Sequence, residues 1–401
     1  MYKRPLTGIR VIDLTTAGAG PSCTKLLAEW GADVIWIEPP AGCSARTVHK
    51  FDFYSVEKRS LVLNLKQAQG REAAYRLIET ADVFVTNYRP QAVKRLGLDY
   101  ETLHEKNPQM IYAALTGYGT VGPQAAEPGY DPSAFWAKGG LLRDIAEPDS
   151  LVVPHISIGD VATGQGLAGA VCAALFGRLA GNHGGQYLSV SLLGEATYLN
   201  HDALIENQYG ERYPHTRKAP RRALLNTYRC GDGEWLVFII TTNFEKDFVP
   251  FMDLLGLGDM AGRYTCVEDT MYEYAPELVT ILDQAFLHFR RDDVVEKMRT
   301  LGIPVSRVQS TADLLSDEQV LANRMIYPMR ASDPPAGAAE PYVVVPASPV
   351  KFNDLSSGIH DRECRGPKLG EHSVEILQEC GYSREEISAM LEGGVTAQAA
   401  L

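Results

Sequence analysis

Residues 9–38 read IRVIDLTTAGAGPSCTKLLAEWGADVIWIE. Ile9 to Leu14 is a short apolar run of the kind that forms a buried strand. Ala17 to Pro21 then turns the chain, and Pro21 suits the first position of a helix. That helix is expected over Ser22 to Trp30 and stops at Gly31, and Ala32 to Glu38 forms the next strand. Further strands are expected at Leu61–Leu65, 83–87, 110–115 and 185–193, with a helix over 70–81. Near-continuous apolar strands alternating with helices predict an α/β fold built on a Rossmann-like, doubly wound parallel sheet.

Farther along, the chain changes character. Residues 227–240 read as a hairpin turning at Asp232-Gly233, helical patterns follow, and a strand is expected over 303–308. A basic, proline-bearing stretch (Arg212 to Arg222) and a Pro/Gly/Ala-rich one (Ser332 to Gly337) read as linkers. The expected division is a large domain from 1–200 and 349–401, so that both chain ends build it. A smaller α+β domain spans 226–330, between linkers at 201–225 and 331–348.

The 401 residues carry a net charge of −12, which argues against a nucleic-acid or anionic-membrane surface. Seven scattered cysteines without a Cys-x-x-Cys pair suit free thiols in a reducing compartment and make zinc ligation improbable; no metal is expected. The basic start is followed by too short an apolar run for an export signal, so a cytoplasmic location is expected. Gly18-Ala19-Gly20 ahead of a strand ending in Glu38 imitates a dinucleotide fingerprint. Its third glycine position is Cys23, and Pro21 removes a donor, so NAD is not expected.

Asp160 follows Pro154-His155-Ile156-Ser157-Ile158-Gly159 and precedes twenty small and apolar residues, Val161 to Ala180. A carboxylate at the start of a buried helix can be an ordinary N-cap. It can equally stay ionised in a poorly hydrated place, as a carboxylate nucleophile requires.

Several segments together resemble the family III CoA-transferases. They are Pro5–Leu14, Ala19-Gly20-Pro21, Gly31–Glu38, Lys58-Arg59-Ser60, Leu63–Lys66, Asp82–Tyr88, Gly117-Tyr118-Gly119, Gly159-Asp160, Gly370-Glu371-His372 and Leu377–Tyr382. The resemblance implies an interlocked homodimer acting on acyl-CoA and small carboxylic acids, with Asp160 as the nucleophile. It implies contacts to coenzyme A from Gly18, Ala19, Leu63, Lys66, Asn87, Tyr88, Arg95 and Tyr130, with Lys66 and Arg95 as phosphate partners. Pro39 and Pro128 stand where formyl-CoA transferases carry cations, leaving Arg89 and Lys94 as substitutes. Gly18 replaces their active-site glutamine, which argues against oxalate or formate. Racemases of the same fold use a histidine where this chain has Tyr130, a poor base at neutral pH. Tyr130–Gly140, Val153-Pro154 and Phe53–Arg59 resemble the transferases of 2-hydroxy acids such as phenyllactate and 2-hydroxyisocaproate. Tyr130, Phe135 and Trp136 could line an acyl pocket or belong to the core.

Overall fold

The computed structural model describes residues 3–147, 149–154, 157–182, 184–332, 340–352, 355–356 and 364–399. Most of the linker expected at Ser332 to Gly337 lies outside them, as do His155 and Ile156. Two compact units emerge. One takes residues 1–142, 152–204 and 318–401, the other 143–151 and 205–317.

The first unit is built on a six-stranded sheet in the order β3-β2-β1-β4-β5-β6. The strands are β1 (Arg10–Leu14), β2 (Asp33–Glu38), β3 (Arg59–Val62), β4 (Val83–Thr86), β5 (Ile111–Thr116) and β6 (Tyr187–Ser191). Every neighbouring pair is parallel, with Ile12 opposite Ile35 on one side and Phe84 on the other. The side-chain period of two divides these apolar strands between two cores. Val11, Val34, Val83, Val85 and Ile111 join one core, and Ile12, Leu14, Ile35, Ile37 and Phe84 join the other. Burial on both faces explains why the strands read as continuous apolar runs.

On the first face lie α1 (Ala19–Glu29) and the long helix Ile158–Leu179. They cross at Gly164, where an added Cβ would come within 2.6 Å of the Ala19 carbonyl oxygen and 2.7 Å of Ser22 Cβ. The long helix is apolar enough in composition to cross a membrane. Here one side of it, including Thr163, Leu167, Ala168 and Val171, is instead buried in the protein. The second face is covered by the helix Ala68–Glu79 and by the C-terminal segment, which brings Ile376, Leu377, Ile387 and Met390 into the core. That segment also covers the free edge of β3. Val62 N–H donates to Ser373 Oγ at 3.0 Å, and Thr396 Oγ1 donates to the Val62 carbonyl at 2.7 Å.

Several boundaries differ from expectation. α1 begins at Ala19, with Pro21 as its third residue, because the first turn has no intrahelical use for a proline's missing N–H. The expected strand over 185–193 ends at Ser191, whose hydroxyl accepts the Gly194 N–H at 3.0 Å and starts the helix Leu192–Leu199.

In the second unit, β7 (Leu225–Arg229) and β8 (Trp235–Ile239) form the antiparallel hairpin, and β9 (Val305–Arg307) pairs with β8. Tyr228, Phe238, Phe251 and Phe286 pack at its centre. Cys23, Cys172, Cys230, Cys266 and Cys380 are free thiols.

Candidate active site

In a sheet of this order the chain leaves β1 toward one face and β4 toward the other, opening a crevice at the carboxyl ends of these two strands. The loops there are Thr15–Gly18 after β1 and Asn87–Arg89 after β4. Asn87 staples them together. Its Oδ1 accepts the Thr16 N–H at 2.9 Å, and its Nδ2 donates to the Thr16 carbonyl at 2.6 Å. Ala17 takes a left-handed conformation, φ 62°, a strained state for a residue with a Cβ that the surrounding loop must hold in place.

A cavity of about 290 Å³ fills the crevice. Thr16, Ala17, Ala19, Asn87, Tyr88 and Arg89 line one part, and Thr116, Gly117, Glu127, Tyr130 and Asp160 line another. Gly117 and Gly129 let two backbones touch, since a Cβ on Gly117 would meet Gly129 Cα at 2.6 Å. This contact sets the Tyr130 segment against the end of β5.

Asp160 is the third residue of its helix, and Ser157 holds the N-cap position. The helix starts three residues before Val161, so Asp160 is not the cap. Its carboxylate lies directly over Gly18, where no other side chain would fit. Gly18 in turn immediately precedes α1, so the carboxylate lies at the N-terminal end of that helix. Among the described residues no side chain or backbone group donates a hydrogen bond to it. Burial, and then the charge of Asp131, push its pKa up to about 6; Lys50 acts in the opposite sense. A carboxylate in that range is mostly ionised at neutral pH and more basic than an exposed one.

Asp131, Lys50 and Tyr54 surround this helix start and were not singled out from the sequence. Asp131 opens a short π-helix, Asp131–Ala137. Its Oδ1 accepts the Asp160 N–H at 3.0 Å, and its Oδ2 accepts Trp136 Nε1–H at 3.0 Å. Burial raises the Asp131 pKa. Lys50 Nζ donates to Ser157 Oγ at 3.0 Å. Burial, and then the charge of Asp160, raise the pKa of Tyr54.

Of the residues expected to contact coenzyme A, Ala19, Asn87, Tyr88 and Tyr130 line the cavity together with Asp160. Gly18 forms the floor under the carboxylate. Leu63 is 1% exposed and packs in the core. Lys66 and Arg95 are exposed outside the cavity wall, whereas Arg89 lies in it. Phe135 and Trp136 are core residues, and Tyr130 is 63% exposed.

A sequence model of CoA-transferase family III matches residues 6–373. The chain belongs to CoA-transferase family III. It is an enzyme of the transferase class. It is 31% identical to the (R)-2-hydroxy-4-methylpentanoate CoA-transferase of Clostridioides difficile, over 96% of this chain and 97% of that one. It is 31% identical to the cinnamoyl-CoA:phenyllactate CoA-transferase of Clostridium sporogenes, over 96% of this chain and 95% of that one. The crystal structure of a CaiB/BaiF family protein from Brucella suis superimposes with a TM-score of 0.78, at 27% identity, covering 94% of this chain and all of that one.

Proposed function

We propose that this family III enzyme moves CoA from an acyl-CoA to a free 2-hydroxy acid with an apolar side chain, through covalent intermediates on Asp160. The observation that carries the mechanism is the Asp160 carboxylate, unpaired among the described residues and facing the cavity over Gly18. The substrate class rests on the two 2-hydroxy-acid transferases at 31% identity.

The chemistry follows from the group. A carboxylate oxygen of Asp160 attacks the thioester carbonyl, and the tetrahedral adduct expels CoA thiolate to leave an acyl-aspartyl anhydride. The thiolate attacks the aspartyl carbonyl and expels the first acid, leaving an aspartyl-CoA thioester. The incoming carboxylate attacks that thioester and releases the thiolate again. The thiolate then takes the new acyl group and restores the Asp160 carboxylate. No net proton, electron or phosphoryl group moves, so neither a metal nor a nicotinamide nucleotide is needed. Covalent catalysis divides one exchange into reversible steps of similar energy. We assign the N–H groups of Ala19 and Gly20, which have no intrahelical partners in the first turn of α1, as donors to the oxyanions; one such donor typically contributes about 10²–10³ in rate.

Arg89 is the cation we assign to the CoA phosphates, with Tyr88 and Tyr130 flanking the pantetheine arm. The enzyme works as a cytoplasmic homodimer in this reading. Phe176, Leu179 and Tyr198 are exposed by 71%, 82% and 77%, and we assign them to contact with a second copy. A racemase reading finds no base, because Tyr130 occupies the position of the racemase histidine.

Thioester exchange rates with phenyllactate, 2-hydroxyisocaproate, carnitine and oxalate as acceptors test the substrate class. The hydroxy acids should lead; preference for oxalate rejects the assignment.

A further inference from the structure

A carboxylate in the first turn of a helix is drawn back onto the free N–H groups at that end. Asp160 is placed for that, yet its carboxylate lies over Gly18 instead. The reason is that the helix end is already occupied. Asp131 Oδ1 accepts the Asp160 N–H at 3.0 Å. Asp131 is itself fixed, 6% exposed, with its second oxygen held by Trp136 Nε1–H at 3.0 Å. Gly159 makes room for it: a Cβ there would run into Asp131 Oδ1 and the Phe135 ring. Two glycines thus serve one arrangement, Gly159 admitting Asp131 and Gly18 admitting Asp160.

We propose that Asp131 is the positioning residue of the reaction, capping the Asp160 helix in place of Asp160 and so keeping the nucleophilic carboxylate turned into the cavity. This rests on the reading of Asp160 as nucleophile. Asp131 touches no reacting atom; it acts through the backbone of Asp160 and through its own charge. The ionisable groups facing Asp160 are Asp131, Lys50 and Tyr54, with Tyr88, Arg89, Glu127 and Tyr130 elsewhere in the cavity wall. Asp131 raises the Asp160 pKa and Lys50 lowers it. Removing the Asp131 charge therefore moves the acidic limb of the rate profile to lower pH.

The test is Asp131→Asn, which retains one acceptor oxygen but not the charge, assayed for acyl-CoA:acid exchange across pH. Alongside it, hydroxylamine trapping during turnover is read by mass spectrometry. The expected result is a kcat lower by about 10–100-fold, since a reacting group misplaced by about 1 Å can lose about 10²-fold. KM for acyl-CoA should stay within about two-fold, the acidic limb should move down, and the label should still fall on Asp160. Trp136→Phe loosens Asp131 without removing its charge, so it should lower kcat in the same direction with the limb unmoved; it also serves if Asp131→Asn fails to fold. Parental kcat in both variants, or a loss confined to KM, overturns the proposal while the label on Asp160 stands. A parent enzyme that never carries label on Asp160 removes both readings.

Discussion

The Asp160 carboxylate sits on the Cα of Gly18, so that any Cβ at residue 18 would occupy the space of the Asp160 oxygen. Gly18 has an ordinary φ of −114°, so alanine there meets no backbone strain and its whole effect falls on the carboxylate. Gly18→Ala should therefore fold normally by circular dichroism while losing about 100-fold in kcat, the usual consequence of displacing a reacting group by about 1 Å. Unchanged kcat would show that the carboxylate need not stand where it does.

The pH profile follows from the two charges beside the nucleophile. With the Asp160 pKa at about 6, kcat/KM should rise with pH through an acidic limb near that value, because only the carboxylate attacks. Lys50 lowers this pKa, so Lys50→Met should shift the limb upward. A limb that stays in place in Lys50→Met, or moves down, contradicts the assignment.

Asp160 also costs stability when ionised. Its folded-state pKa is raised from 3.8 to about 6, so its contribution is fully present below pH 3.8 and lost as pH rises through 6. Asp160→Asn should then be more stable than the parent by about 1–3 kcal/mol at pH 7.5 and nearly equal to it at pH 4. Urea unfolding at the two pH values measures this. Equal stabilities at pH 7.5 would show that the carboxylate is well solvated.

A buried ion pair ties β1 and α1 to Lys58, the residue that precedes β3. Lys58 Nζ donates to Asp13 Oδ2 at 3.0 Å and to Thr24 Oγ1 at 2.7 Å, and both charged side chains are essentially inaccessible. Lys58→Met leaves Asp13 buried without its cation and should cost about 3–5 kcal/mol. Asp13→Asn in the same chain should recover part of that loss. A Lys58→Met protein with the parent's melting temperature would contradict this account.

The sheet was legible in the sequence because parallel strands buried on both faces leave a near-continuous apolar run between glycine and proline punctuation, as around β1, α1 and β2. The helix behind Asp160 was legible through its run of small and apolar residues, though its start was not: Ile158 and Gly159 read as the end of an extended segment, whereas they form the first turn. Asp131 was out of reach. It stands 29 residues before Asp160, and its role exists only once Gly117 meets Gly129 and Gly159 admits its oxygen. Asn87 was found by position, but its amide binds the Thr16 backbone, a contact across 71 residues that no local pattern encodes. Leu63, Lys66 and Arg95 were likewise named by position, and none of them lines the cavity with Asp160.

The most direct test is to turn the enzyme over with an acyl-CoA, quench with hydroxylamine or borohydride, and map the modified residue. Modification confined to Asp160, with Asp160→Ala folded yet unable to exchange CoA, is the predicted result. An unmodified Asp160, or an alanine variant that exchanges CoA at the parental rate, contradicts it.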